Sequence, residues 1–514
     1  MIDKTLIYKA YLKVKENKGS AGVDSVSIED YEKDLGNRLY KLWNRMSSGS
    51  YMPNAVRLVE IPKPGGGKRP LGIPTVEDRI AQQAAVLFIE PSIEPCFDQD
   101  SYGYRPNRSA SDAIAKARER CFKFGWVLDM DISKFFDTID HDLLMKAVEH
   151  HVREKWVLLY IRRWLKVPYR TSKGETIERT MGVPQGSVIG PVLANLFLHY
   201  TFDKWMRIHY PNIPFERYAD DTICHCVSKA QAEYLKEVLT CRFEQCRLKL
   251  NAEKTKIVQC PTSTRKKVEG YEASFDFLGY TFQCRKSWNR KQCQCFTSFL
   301  PAISKKSVKK LHEKMKEWKL HSHLDWKLQQ VAVEIESQVR GWYNYYNKFD
   351  KTEFVKVMNH LNMVLAYWVR RKYKRFHRKP IVKAFSWLQE IAGKDRSLFC
   401  HWQRGHPQIM SMHKTLSVKS RVRGDFHARF CERVRVKLPR STRLRPSATT
   451  PPFFFMYCIT ANRHLAAHAA DCESGFIFIT AFLQLKDSSK LFSGQLDWQI
   501  LTQLLTEVFQ KLPC

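Results

Sequence analysis

The sequence predicts an α+β fold followed by a mainly helical region, and three observations predict it. Short strand-like runs lie scattered among longer helical stretches, the mixture expected of an α+β domain. After Pro301 the apolar spacing becomes helical and stays so. At 514 residues the chain exceeds what one ordinary core supports, so several domains are expected.

Residues 1–50 read as helical, broken by Asn17-Lys18-Gly19-Ser20-Ala21-Gly22. Residues 56–79 read as two strands about the turn Pro64-Gly65-Gly66-Gly67. A helix follows over 76–93, because Ile80, Ala84 and Leu87 share a face. Residues 126–132 form a buried-type strand, and 140–151 a helix with Asp140 as its N-cap. Residues 181–202 run from a loop into an apolar helix. The runs 215–218 and 222–227 alternate like strands and make a hairpin with acids at its tip. A helix over 229–246 and a strand over 275–282 complete this part. Beyond Pro301, Val308, Leu311, Met315 and Trp318 share one helical face, while Lys305, Lys306, Lys309, Lys310, Lys314, Lys316 and Lys319 crowd the rest. Residues 324–343 and 352–376 give two further helices.

Lys and Arg total 85 against 52 Asp and Glu, a formal charge of +33. An excess that large predicts a polyanionic partner, most simply nucleic acid. Residues 351–450 hold 24 Lys or Arg against 5 Asp or Glu, whereas 451–514 hold 4 against 5, so a boundary is expected near 446–452. No apolar run reaches transmembrane length and Met1-Ile2-Asp3-Lys4 begins no signal peptide. The expectation is a cytoplasmic protein without membrane attachment. The 15 cysteines include no CxxC pair, only Cys224/Cys226 and Cys293/Cys295, which suggests reduced thiols. Cys284, Cys293 and Cys295 are the one thiol group weighed as metal ligands, and isolated thiols are the preferred reading.

The most informative residues are Tyr218-Ala219-Asp220-Asp221. Neighbouring carboxylates repel and are costly to desolvate, so a hard divalent ion with oxygen ligands is expected beside them. A third acid from another strand would complete a two-metal site for phosphoryl transfer. The segment from Trp126 to Asp137 supplies it. Val127, Asp129 and Asp131 point one way along a strand, and the pattern does not choose between the two acids. Asp137, Asp140 and Asp142 read as turn or cap residues.

The ordered set of motifs resembles a reverse transcriptase of the group II intron-encoded kind, the maturases, over residues 15–405. The matching segments are Asn17 to Asp24, Ile61-Pro62-Lys63 through Lys68-Arg69-Pro70-Leu71-Gly72-Ile73-Pro74, Ser101-Tyr102-Gly103-Tyr104-Arg105-Pro106 and the Asp131 segment. Pro184-Gln185-Gly186-Ser187, Tyr218 to Asp221, Leu250 to Lys256, Phe277-Leu278-Gly279-Tyr280 and Gly341-Trp342-Tyr343-Asn344-Tyr345-Tyr346 continue the series. The resemblance implies a right-hand polymerase. Its N-terminal extension is 1–50, its fingers and palm 51–300, and its helical thumb/maturase domain 301–405. A basic segment assigned to DNA contact (406–450) and a near-neutral extension without a role (451–514) follow.

The same resemblance selects Asp131 as the partner of Asp220 and Asp221. Together they are the catalytic acids and the ligands of two Mg²⁺ ions, with Mn²⁺ as a substitute. It makes Phe136 a gate against the 2′-hydroxyl and leaves Phe135 to the core. It places Lys63 and Arg69 on the triphosphate, Gln185, Gly186 and Lys254 near the nucleotide or primer end, and Tyr218 beneath the primer terminus. Ile189-Gly190-Pro191 departs from relatives that more often show a serine there, which puts the helix start in question. RNA contact is assigned to the 17–24 loop and to Lys309, Lys310, Arg340, Arg370, Arg371 and Lys372. Trp342, Tyr343, Tyr345 and Tyr346 divide between base stacking and core, at least half of them core. No paired CxxC or HNH-like cluster follows, so no endonuclease is expected.

The implied activity is RNA-directed DNA synthesis, with splicing assistance and copying of the intron during mobility. The partners are intron RNA, an RNA template with DNA primer, dNTPs and target DNA. The setting is the bacterial cytoplasm at the nucleoid, with an organellar origin left open. Rival readings are a splicing-only maturase with an idle polymerase and a domesticated enzyme of phage defence or repair. The intact acid triad argues against the first.

Overall fold

In the computed structural model the described residues are 2–62, 67–289 and 293–405. Lys63, the basic segment 406–450 and the extension 451–514 therefore lie outside the described residues.

Three helices open the chain: α1 (Lys4–Asn17), α2 (Ile28–Glu32) and α3 (Leu35–Ser47). Asp3 and Ser27 cap the first two by accepting from Thr5 N and Asp30 N. The hairpin β1 (Val56–Pro62) and β2 (Lys68–Ile73) leads into α4 (Val76–Ile93), whose bounds match the sequence pattern. Arg79 of α4 donates to Lys18 O (3.3 Å) and Ser20 O (2.9 Å), so the loop expected to meet RNA is clamped to α4.

The sequence reading passed over α5 (Ala110–Lys123), although Ser109 and Asp112 form a capping box that marks its start. Next come β3 (Trp126–Met130), α6 (Phe135–Thr138), α7 (His141–His151) and α8 (Lys155–Lys166). Asp140 does cap α7, accepting from Leu143 N at 2.9 Å. The pairs β4 (Tyr169–Arg170) and β5 (Thr176–Ile177) join β1, giving the sheet order β2-β1-β4-β5. The apolar helix α9 (Gly190–Leu198) passes through a π turn at His199–Asp203 into α10 (Lys204–His209). At its start Gly190 N donates to Ser187 Oγ (3.1 Å), so Ser187 anchors the turn at Ile189-Gly190-Pro191.

Then come β6 (Phe215–Tyr218), β7 (Asp221–Cys226), α11 (Lys229–Gln245) and β8 (Lys256–Gln259). With β3 they form the antiparallel sheet β6-β7-β3-β8. Alternation along β3 sends Leu128 and Met130 into the large core beneath this sheet. Val127 goes to a smaller core with Ile223, Val258, Phe275 and Phe282.

The run expected to be one strand over 275–282 is instead a turn between β9 (Ser274–Phe277) and β10 (Tyr280–Asn289). Leu278 (φ 48°) and Gly279 (φ 80°) are both left-handed, as a two-residue hairpin loop demands. β10 pairs with β11 (Gln294–Ile303). The helices α12 (Lys305–Glu317), α13 (Leu328–Tyr346), α14 (Thr352–Lys372), α15 (Ile381–Lys394) and α16 (Cys400–Gln403) share a separate core that includes Leu311, Met315, Ile335, Phe354, Leu361, Trp368 and Trp402. Tyr345 donates to Leu278 O (2.7 Å) and Tyr280 to Tyr345 O, which ties these helices to the β9–β10 turn.

Candidate active site

Antiparallel pairing places the acids. Met130 faces Thr222 across β3 and β7, so the next residue along β3, Asp131, comes to the level of Asp221. Tyr218 pairs with Asp221, which leaves Ala219 and Asp220 as the turn. Asn251 N donates to Asp131 O (2.8 Å) and Asp131 N to Thr255 Oγ1 (3.4 Å), so the 250–256 segment fixes the backbone behind the acid.

The electrostatics agree with that placement. The Asp221 carboxyl is pushed up to about 6 by the protein crowded round it, then by the charges of Asp220 and Asp131, even though part of its surface meets solvent. Asp220 is raised mainly by burial, with Asp131 adding to the shift while Arg69 and Arg217 oppose it. Asp129, half-buried and on the same strand, is pushed up to about 7 by burial and then by Asp221 and Asp131.

Among the described residues no group of three His, Cys, Asp or Glu is gathered closely enough to hold a metal ion. Lys254 Nζ holds Asp131 Oδ2 in an ion pair at 3.1 Å. The donor chemistry fits a hard cation: three carboxylates, oxygen donors throughout, two of them raised first by burial and then by neighbouring carboxylates.

A second wall forms from β2 and the loop before α9. Arg69 Nε donates to Gln185 Oε1 (2.5 Å), and Gln185 Nε2 donates to Asp137 Oδ1 (3.1 Å). Asp137, read as a turn acid, is thus the support of Gln185. Gly72 N donates to Gln185 O at 2.7 Å, and a Cβ on Gly186 would lie 2.4 Å from Gly72 O. The close approach that requires glycine at 186 is therefore to β2. Phe136 O accepts from Val183 N (2.7 Å), and its ring meets Phe135 edge-on at 5.3 Å. Phe135 is 2 % exposed and Phe136 9 %, so both rings belong to the core and Phe136 lies nearer its surface.

Several residues escaped the sequence reading. Gly103 runs under the acid turn, where a Cβ would sit 2.4 Å from Ala219 N and 2.9 Å from Tyr218 C. Tyr104 beside it feels the charges of Asp220, Arg69 and Asp221. Ala219 has φ 57°, a strained value for a side-chain-bearing residue at a position that tight hairpins often give to glycine. Its carbonyl accepts from Arg217 Nη1 (3.1 Å). Arg217 is fully buried and bound to Asp203 through Nε (2.7 Å) and Nη2 (2.5 Å), and to Asn195 Oδ1 (2.9 Å). Burial alone would raise the Asp203 carboxyl, but Arg217 overcomes it and holds the group below its ordinary value. The motif Ser101 to Pro106 was the available signal for Gly103 and Tyr104; nothing in a strand reading of Phe215-Glu216-Arg217-Tyr218 announces a buried cation.

The other nucleic-acid candidates lie on the helical region. Lys309 and Lys310 are exposed, Lys309 within 3.9 Å of Glu313, and Arg340 pairs with Glu336. The Lys372 ammonium donates to Leu324 O (2.7 Å) and Asp325 O (3.4 Å), which braces the end of α14 against the loop before α13. The aromatic run is packed throughout. Trp342 stacks on Trp318 at 5.5 Å, Tyr343 meets Phe354, and Tyr345 and Tyr346 pack on Tyr280.

Residues 61–282 match the family described as reverse transcriptase (RNA-dependent DNA polymerase), and 308–385 the group II intron, maturase-specific domain. Protein YkfC of Escherichia coli (strain K12) is 33% identical over 280 residues, covering 46% of this chain and 71% of that protein. The group II intron-encoded protein LtrA of Lactococcus lactis subsp. cremoris is 26% identical over 310 residues, 57% of this chain and 50% of LtrA. Among solved structures, telomerase from Candida albicans aligns over 75% of this chain and 69% of that one, at 13% identity and a TM-score of 0.38, too low to carry an argument. The two matched regions, in this order along the chain, place it in the group II intron reverse transcriptase and maturase family.

Proposed function

We propose that this chain is an RNA-directed DNA polymerase that binds group II intron RNA, assists its splicing and copies it into DNA during mobility. The observation that carries the reading is Asp131 held at the level of the Asp220–Asp221 turn, with Arg69 within electrostatic reach of Asp220. Asp131, Asp220 and Asp221 would hold two Mg²⁺ ions, or Mn²⁺ in their place. Those ions supply a more acidic primer 3′-hydroxyl and charge balance on the triphosphate.

The side chains do the rest. Arg69, oriented by Gln185, presents a fixed fork to the triphosphate, and the family resemblance assigns Lys63 to the same ligand. Lys254, already beside Asp131, places a mobile cation at the same point. Phe136 closes the sugar side against a 2′-hydroxyl, and Tyr218 supports the primer end. The fingers and palm are residues 51–300 and the thumb/maturase region 301–405, where Lys309, Lys310, Arg340, Arg370 and Arg371 meet RNA. Residues 406–450 meet target DNA. The bacterial relatives suit work in the cytoplasm at the nucleoid.

The test is extension of oligo(dT) on poly(rA). Asp131→Ala and Asp220→Ala should each make no product while keeping RNA affinity. Extension at the parental rate by either variant overturns the assignment.

A further inference from the structure

Several cations on the helical region face a carboxylate. Lys309 faces Glu313, Lys314 pairs with Glu317, Arg340 with Glu336 and Lys356 with Glu353. Four are different. Lys316, Lys319, Arg370 and Arg371 have no carboxylate partner among the described residues, and all four line one cavity of about 630 Å³. The cavity lies between the end of α12, the turn that follows it and the second half of α14, and uses no residue of the polymerase sheet. No acidic residue lines it, and His321, His360 and His377 complete its wall.

The floor is of another kind. Met315, Leu320 and Trp368 are buried there, and Tyr367 stands 55 % exposed beside them. An apolar, aromatic floor inside a ring of unpaired cations asks for a ligand with a flat hydrophobic face and a negative charge. A nucleotide has both, and the volume lies within the ordinary range for small-molecule sites. A stacked base inside a duplex cannot enter such a site, whereas an unpaired base can be turned out and stacked on an aromatic ring.

We propose that this cavity receives one unpaired nucleotide of the bound RNA, its base against Tyr367 and the apolar floor and its phosphates on Arg370, Arg371 and Lys319. The inference rests on the reading of the chain as an RNA-binding maturase and adds to it a site that tells bulged from fully paired RNA.

The experiment uses the full chain and two labelled RNA hairpins, identical except for one unpaired adenosine in the stem. Parental protein should bind the bulged hairpin more tightly. Tyr367→Ala should weaken that binding on the order of tenfold, with little change for the paired hairpin and an unchanged salt dependence. Arg370→Ala with Arg371→Ala should weaken both hairpins and flatten the slope of log affinity against log salt by between about 1 and 2 units. All three residues sit at the surface, and a melting curve confirms that the variants fold. Equal losses for both hairpins with Tyr367→Ala, or no loss with either, overturn the site. So does competition by polyglutamate that is as strong against Tyr367→Ala as against parental protein, since that marks a general anion patch. Primer extension separates this failure from failure of the polymerase reading: Tyr367→Ala should still extend a saturating primer-template, whereas an inactive parental protein defeats that reading whatever the hairpins do.

Discussion

Replacing Arg217 by Met removes a cation that is fully buried and leaves Asp203, equally buried, without its counter-charge. Breaking a buried ion pair from one side costs about 3–5 kcal/mol. That is a large share of the ~5–15 kcal/mol that holds a typical domain together. At roughly 2–4 °C per kcal/mol, melting should fall by on the order of 10 °C. Activity should fall for a separate reason. Arg217 Nη1 also holds the carbonyl of Ala219, whose left-handed backbone costs ~1–2 kcal/mol and reverts when released. Asp220 and Asp221 move with that turn, and a misplacement of about 1 Å costs on the order of 100-fold in rate.

The double variant Arg217→Met, Asp203→Leu separates the two effects. With both charges gone, much of the stability should return. The bond to Ala219 O does not return, so primer extension measured well below the melting point should stay slow. Melting curves and single-turnover extension on the three proteins read this directly. Full recovery of rate in the double variant would refute the anchoring role. A single variant that melts with the parental protein would refute the energetic one.

Other outcomes follow from the same geometry. Phe136→Ala should raise ribonucleotide incorporation, and unchanged selectivity would return that ring wholly to the core. Gly103→Ala pushes a methyl group against Ala219 N and should cut kcat by an order of magnitude or more with a smaller change in melting; equal activity would mean that the turn yields freely. Asp221→Asn should stabilise the protein in EDTA at pH 7. The folded carboxyl titrates near 6 against an ordinary value of about 4, so the parental fold loses stability as pH rises from about 4 to 6 and carries the whole penalty above that. The gain should be about 1 kcal/mol or less, given solvent exposure, and should vanish below pH ~4. A melting difference equal at pH 4 and pH 7 would contradict it.

Much of the site was legible because it rests on local pattern. Two adjacent acids between alternating runs read as a hairpin from local pattern, and Trp126 to Ile132 is apolar enough to read as a strand. Asp140 and the α4 bounds were equally readable, since caps and helical spacing act within a few residues. The choice of Asp131 over Asp129 was not legible from the period alone. Both acids lie on one face, and only the register of β3 on β7 puts Asp131 at the level of Asp221.

The sequence by itself determined the acids, the strands that carry them and the excess of positive charge, because these depend on composition and short-range spacing. Tertiary structure decided what each polar group faces. Lys254 meets Asp131, Asp137 supports Gln185, Lys372 is spent on two carbonyls while Arg370 and Arg371 border a cavity, and Arg217 is held under the strained turn that follows it in sequence by a buried pair with Asp203. The physical reason is that a charge is defined by its partner and its burial, and both come from residues tens to more than a hundred positions away along the chain.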